Sequence, residues 1–171
     1  QAGFTNAVAS LGTALTSGHA SLLKRYTQEV LLLYDSDEAG IRAALRGIPI
    51  LREAGVNSRV VSLKPYKDPD EFIKALGTEE FQKRIDEAKN SFLFEIDVLQ
   101  RNYDMQDPQS KTAFYEETAK KLMSFEQELE RENYIEAVAA RYGIGFDALR
   151  KLVNRMAMKN VPIPKTPVKI R

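Results

Sequence analysis

Two short acidic runs hold the residues of this chain best suited to chemistry, Tyr34-Asp35-Ser36-Asp37-Glu38-Ala39-Gly40 and Lys67-Asp68-Pro69-Asp70-Glu71. Asp35 and Asp37 stand two apart, so on an extended backbone their carboxylates point into the same space. Carboxylates that close repel each other unless a proton or a cation lies between them, and a hard divalent ion such as Mg²⁺ meets that need. The competing reading is that Asp37 caps a following helix, a role worth about 1 kcal/mol. In the second run Pro69 fixes its own φ and holds Asp68 extended, which makes a rigid acidic corner. Asp68 as cap, Pro69 at the first helical position and Asp70-Glu71 in the first turn also describe an ordinary helix start. Each run alone leaves capping and metal binding open. Their joint appearance at successive strand ends weighs toward metal, because independent caps need not converge and metal-directed carboxylates must.

That convergence depends on the flanking elements. Thr5–Ser10 is a short apolar run between Gly3 and Gly12 and reads as a strand. Gln28–Tyr34 is too short for a helix and continuously apolar, as a central parallel strand covered on both faces is, and Ser58–Leu63 reads as a third strand. Between them Ser17–Tyr26 places Ala20, Leu22 and Leu23 at helical spacing, and Glu38–Ala54 carries Ala39, Ala43, Ala44, Ile48 and Leu51 on one stripe before Gly55. Asp70–Leu76, closed by Gly77, and Thr78–Ala88 complete an alternation of strands and helices, which implies a parallel sheet. In such sheets ligands bind beyond the carboxyl ends of the strands, and both acidic runs follow strands.

From Asn90 onward the periodicity is helical only. Ser91–Tyr103, Pro108–Arg131, Glu132–Tyr142 and Phe146–Met158 read as helices, with breaks at Asp107-Pro108 and Tyr142-Gly143-Ile144-Gly145. The expected organisation is an α/β part over residues 1–89, an all-α helical subdomain over 90–158, and a proline-rich linker or tail over 159–171. A hydrophobic share of 43% and a charged share of 29% fit a folded protein in water. The longest purely apolar run, Val30–Leu33, falls far short of the roughly 20 residues of a membrane span. The absence of cysteine excludes disulfides and thiolate metal sites, and the first residues lack the pattern of a signal peptide, so a cytoplasmic location is expected. A net charge of +1 gives no global electrostatic case for nucleic acid, which must then be argued from motifs. The opening residues, without an initiator Met, read as the end of a helix running into a glycine turn, as in a piece of a longer protein.

Several stretches together resemble the second half of the Toprim domain of bacterial DNA primases: QAGFTNAVASLGT at residues 1–13, HASLLKRY at 19–26, YDSDEAG, LRGIPILREAG at 45–55, and KDPDEF. VASLGTALT together with YDSDEAG is far more specific than a lone pair of aspartates, and the likeness runs from residue 1 to about residue 77. The helical remainder resembles the end of the primase catalytic core chiefly through its position. The resemblance implies metal-dependent nucleotidyl transfer, joining ribonucleoside triphosphates into RNA primers on a single-stranded DNA template. It assigns Mg²⁺ or Mn²⁺ to Asp35, Asp37, Asp68 and Asp70, with Asp35 and Asp37 as the catalytic acids. It also implies a Glu in an EGxxD-like motif upstream of Gln1, preceded by a basic subdomain and a zinc-binding domain. The proline tail sits where the family places its link to a helicase-binding domain, so the replicative helicase is expected to be met outside this chain.

Other residues carry lesser expectations. Lys24 and Arg25 are the cations placed to meet template. Arg42, Arg46 and Arg52 fall on the outward side of their helix, where solvation is the default. His19, at a helix start, reads as a surface or packing residue. Ser10, Gly12 and Thr13 make either a tight turn or a phosphate-facing one. Tyr103, Tyr115, Phe125 and Tyr134 are expected to fill a helical core rather than stack on bases. A haloacid-dehalogenase-like phosphatase also uses paired aspartates at a strand end, but expects Thr or Val where Glu38-Ala39-Gly40 follow. Other Toprim proteins (topoisomerases, nucleases, recombination mediators) share the acids. YIEAVAARYGIGFDALRKLV, at residues 134–153, reads superficially as a helix-turn-helix; with Arg150, Lys151 and Arg155 as its main cations, a packing hairpin or non-catalytic interaction module is the better reading.

Overall fold

The computed structural model describes residues 6–10, 16–34, 37–66 and 68–160. The expectations for Asp35, Gly12, Thr13 and the proline-rich stretch from residue 161 lie outside the described residues. In chain order the elements are β1 (Asn6–Ser10), α1 (Ser17–Tyr26), β2 (Glu29–Tyr34), α2 (Glu38–Glu53), β3 (Asn57–Ser62), α3 (Pro69–Asp86), β4 (Lys89–Asn90), α4 (Ser91–Gln100), α5 (Pro108–Leu122), α6 (Glu128–Tyr142) and α7 (Phe146–Asn160). They form two compact units, Gln1–Asp97 and Val98–Arg171.

The first unit is built on a sheet of order β1-β2-β3-β4. β1, β2 and β3 are parallel, as the alternation of strands and helices requires, and β4 adds an antiparallel pairing of Asn90 with Arg59 and Lys89 with Val60. β4 escaped the sequence reading because two polar residues show no periodicity. In β2 Val30, Leu31, Leu32 and Leu33 are all buried, although successive side chains point to opposite faces. The strand is therefore covered on both sides, which is why it is apolar throughout. On one face Leu33, Val61 and Leu63 cluster with Phe72 of α3, flanked by Tyr66, Phe81 and Ala88.

Two expectations for α2 need correction. Its buried face is Ala44, Gly47, Ile48 and Leu51, whereas Ala39, in the first turn, is exposed. Arg52 is not a solvated outward residue. Its guanidinium donates to Glu95 Oε2 at 2.7 Å, with the two side chains 21% and 4% exposed, and lies 5.2 Å from the centre of the Phe92 ring. A carboxylate so buried has to be paired, and an arginine near a helix end can reach past its own stripe to do it.

The second unit is helical. The expected single helix Pro108–Arg131 is two: α5 ends at Leu122 and α6 begins at Glu128. Packing sets the break. Phe125 is buried and stacks on Tyr134 with ring centres 4.1 Å apart and planes 10° from parallel, while Arg131 donates to the Phe125 carbonyl at 2.9 Å. A continuous helix would forfeit that burial. Phe114 gathers Tyr103, Tyr115 and Tyr142 with ring centres 5.2–5.7 Å away, so the aromatics serve the core as expected. Buried Leu122, Ile135, Val138, Leu149 and Val153 complete it. α6 stops at Gly143, whose φ of 66° is the left-handed conformation that glycine adopts without strain.

Replacing Arg52 by Ala should strand the Glu95 carboxylate and destabilise the first unit by at least about 2 kcal/mol, read from amide exchange of the β2 core. Adding Glu95→Gln should recover most of the loss; an Arg52→Ala variant as stable as the parent would show that the pair holds nothing.

Candidate metal-binding edge

The parallel register sets Tyr34 opposite Ser62, so the chain leaves β2 and β3 side by side at the carboxyl edge of the sheet. Pairing continues one step further, where the Leu63 N–H donates to the Tyr34 carbonyl at 3.3 Å. Beyond β2, Asp37 is extended (φ −71°, ψ 170°) and its Oδ1 accepts from the Gly40 N–H at 2.7 Å, which makes it the cap of α2. Beyond β3, Asp68 is likewise extended (φ −142°, ψ 164°), and its Oδ1 accepts from the Glu71 N–H at 2.8 Å, capping α3. Pro69 occupies the start of α3 and Asp70 and Glu71 its first turn. The capping role is thus realised in both acidic runs. A carboxylate offers about four lone-pair sites, and the cap at Asp68 uses one of them.

Two helix amino ends, each with a partial positive charge, open at this one edge, and each carries an aspartate at its mouth. Asp37, Asp68 and Asp70 are all exposed, as ligands for a solvated cation must be. Their donors are all oxygen, which fits a hard divalent ion. Among the described residues no group of three or more His, Asp or Glu side chains is close enough to hold a metal, and Asp35, on which the expected pair depends, lies outside them.

Next to the second corner lies a residue that sequence reasoning missed. Arg84, in the last turns of α3, donates from Nη1 to the Ser62 carbonyl at 2.9 Å and from Nη2 to the Lys64 carbonyl at 3.1 Å, and its guanidinium lies 5.1 Å from the centre of the Phe72 ring. Its only sequence signal is indirect: Gly77 interrupts the helix and lets its second half return. A cavity of about 250 Å³ lies alongside, lined by residues that include Tyr34, Ser62, Arg84 and Lys89.

The remaining site residues lie elsewhere. Lys24 and Arg25 close α1 just before β2 begins, so they sit at the amino edge, opposite Asp37 and Asp68. Lys24 Nζ donates to the Gly55 carbonyl at 2.8 Å, between α2 and β3. His19 is exposed, and its N–H donates to Thr16 Oγ1 at 3.2 Å as part of the α1 cap. Arg42 and Arg46 are exposed, Arg42 with an ion pair to Glu38 at 3.6 Å.

Residues 1–73 match the Toprim-like family, and residues 92–147 match the DnaB-helicase binding domain of primase. The second match lies inside the chain, whereas the expected helicase contact lay in a domain outside it. A DNA primase of Clostridium acetobutylicum is 35% identical over 160 residues, which cover 94% of this chain and 27% of that protein. The chain spans about a quarter of the length of the curated relatives it matches. A structure of the DnaG catalytic core superposes with a TM-score of 0.70 over 85% of this chain and 55% of that one; at 22% identity it supports the fold alone. The structure of a DnaG primase catalytic domain bound to ssDNA is 28% identical, with a TM-score of 0.64 over 78% of this chain and 43% of that one. A Toprim-like sheet with paired aspartate-capped helices at its carboxyl edge, followed by helices that match a primase segment, places this chain in the bacterial DnaG-type DNA primase family, as a segment of such a protein.

Proposed function

We propose that this segment supplies the metal-binding part of an enzyme that joins ribonucleoside triphosphates into RNA primers on single-stranded DNA in the cytoplasm. The observation that carries the reading is the emergence of two aspartate-bearing helix starts at one sheet edge, within the stretch that matches the Toprim-like family. In this reading Asp35, Asp37, Asp68 and Asp70 hold Mg²⁺ or Mn²⁺, with Asp35 and Asp37 the catalytic acids. Divalent ions bound there would neutralise phosphate charge and stabilise the attacking and leaving oxygens of nucleotidyl transfer. The capping bonds hold the Asp37 and Asp68 carboxylates in fixed orientations, and the two helix amino ends favour phosphate anions at the same edge.

The relative bound to ssDNA supports a single-stranded template as partner. Lys24 and Arg25 enter only as contacts remote from the metal edge, so their loss should lower the salt dependence of template binding and leave metal affinity unchanged. In this reading residues 1–89 carry the metal-binding part, 90–158 the helical subdomain and 159–171 the link onward, with the start of α4, to Asp97, packed in the sheet's compact unit and α7 running to Asn160. The match over residues 92–147 supports giving the helical subdomain a share in meeting the replicative helicase.

Capping and metal binding can be separated. Asp37→Asn with Asp68→Asn keeps both capping oxygens and removes both charges, so stability should change by less than about 0.5 kcal/mol while Mn²⁺ binding, followed by electron paramagnetic resonance, is lost. The matching Ala variants should also cost about 1 kcal/mol each. Mn²⁺ binding by the Asn variant at the parent's affinity would leave these aspartates as caps only. In a full-length primase carrying this segment in place of its own, primer synthesis should fall by about 100-fold or more on Asp35→Ala. Undiminished synthesis would sink the metal mechanism.

A further inference from the structure

We infer that Arg84 is a positioning residue for the second acidic corner: it fixes the backbone from which Asp68 and Asp70 project. The antiparallel partner β4 pairs with Arg59 and Val60, and among the described residues no strand continues that pairing along the carboxyl end of β3. Arg84 takes the neighbour's place. Its fork spans the carbonyls of Ser62 and Lys64, at 2.9 and 3.1 Å, which flank Leu63 at the exit of the strand. The same guanidinium lies over Phe72, which is fully buried and whose N–H donates at 3.1 Å to the carbonyl of Asp68 itself. One planar cation therefore grips the strand end by hydrogen bonds and the helix start through the aromatic face, the two anchors between which the acidic corner is strung.

The local sequence is arranged to bring it there. α3 is two helical segments joined at Gly77 (φ 87°, ψ 169°), a conformation that costs an L side chain dearly. A Cβ on Gly77 would touch nothing within 4 Å, so the glycine is present for its backbone rather than for space. Without that bend a straight α3 would carry residue 84 about 24 Å along the axis from Asp68, at 1.5 Å per residue. A lysine could reach one carbonyl but has no rigid fork with which to hold two in register.

The functional consequence rests on the metal reading above; the positioning itself does not, and the experiment reads them apart. In the 171-residue chain, Arg84→Lys is compared with Phe81→Leu, which loosens the packing on Phe72 and leaves the fork intact. Two quantities are followed: exchange of the Glu71 amide, which Asp68 caps, and Mn²⁺ affinity by electron paramagnetic resonance. With Arg84→Lys we expect Glu71 exchange to quicken about tenfold and Mn²⁺ affinity to fall by a similar factor, as for loss of one charge-assisted hydrogen bond. Phe81→Leu should lower thermal stability at least as much with little change in either readout. Unchanged Glu71 exchange in Arg84→Lys overturns the positioning role, as does an equal loss of Mn²⁺ affinity in Phe81→Leu. If the parent's Mn²⁺ binding survives Asp68→Asn, the metal reading fails while Glu71 exchange still decides the role of Arg84.

Discussion

The parallel pairing of β2 with β3 is the constraint on which the rest depends. It exists because β2 is apolar on both pleat faces and is stable only when sandwiched, with parallel neighbours that deliver their carboxyl ends to one side. A hairpin connecting these strands would have sent the two acidic runs to opposite ends of the sheet. Crossover helices start at the carboxyl edge by necessity, so the same topology that gathers the aspartates also gathers helix amino ends. Burial on one strand thus becomes an electrostatic arrangement several residues away.

That arrangement shows why capping and ligand roles are not rivals. An aspartate at a helix start is immobilised by the bond to the third amide beyond it, and an immobilised carboxylate loses less freedom on meeting a cation than a swinging one. The partial positive charge of each helix end offsets part of the repulsion that clustered acids would otherwise suffer. A plain structural device and a chemical one occupy the same atoms, which is why neither acidic run, inspected alone, decides between them.

Much of this was legible in the chain, for identifiable reasons. The three parallel strands showed because buried strands are short, apolar and bounded by turn residues, and the helix starts at Asp37 and Asp68 showed because capping is local chemistry. What failed to show depended on distant partners. Glu95 sits in an apolar helix with nothing nearby in sequence to announce Arg52. The change from mixed to purely helical periodicity comes near residue 89, but the compact unit runs to Asp97, because Phe92, Phe94, Glu95 and Ile96 are buried and Phe94 meets Tyr34 of the sheet with ring centres 5.2 Å apart. The division at Phe125 was hidden because an uninterrupted helical period runs across it, and stacking on Tyr134 outweighs that local preference. Arg84 was invisible for the same reason, its partners being backbone carbonyls that no residue type marks.

The brevity of β4 has a bearing on how this segment behaves in a crowded solution. A sheet that ends in an open strand offers its bare amides and carbonyls to any other chain, and such edges are where proteins add strands to one another and aggregate. Here the outermost strand is only Lys89-Asn90, with Glu87 just before it, and the carbonyls of Ser62 and Lys64 past its end are already occupied. Among the described residues that rim is short and charged, features that disfavour the addition of a strand from another chain on that side.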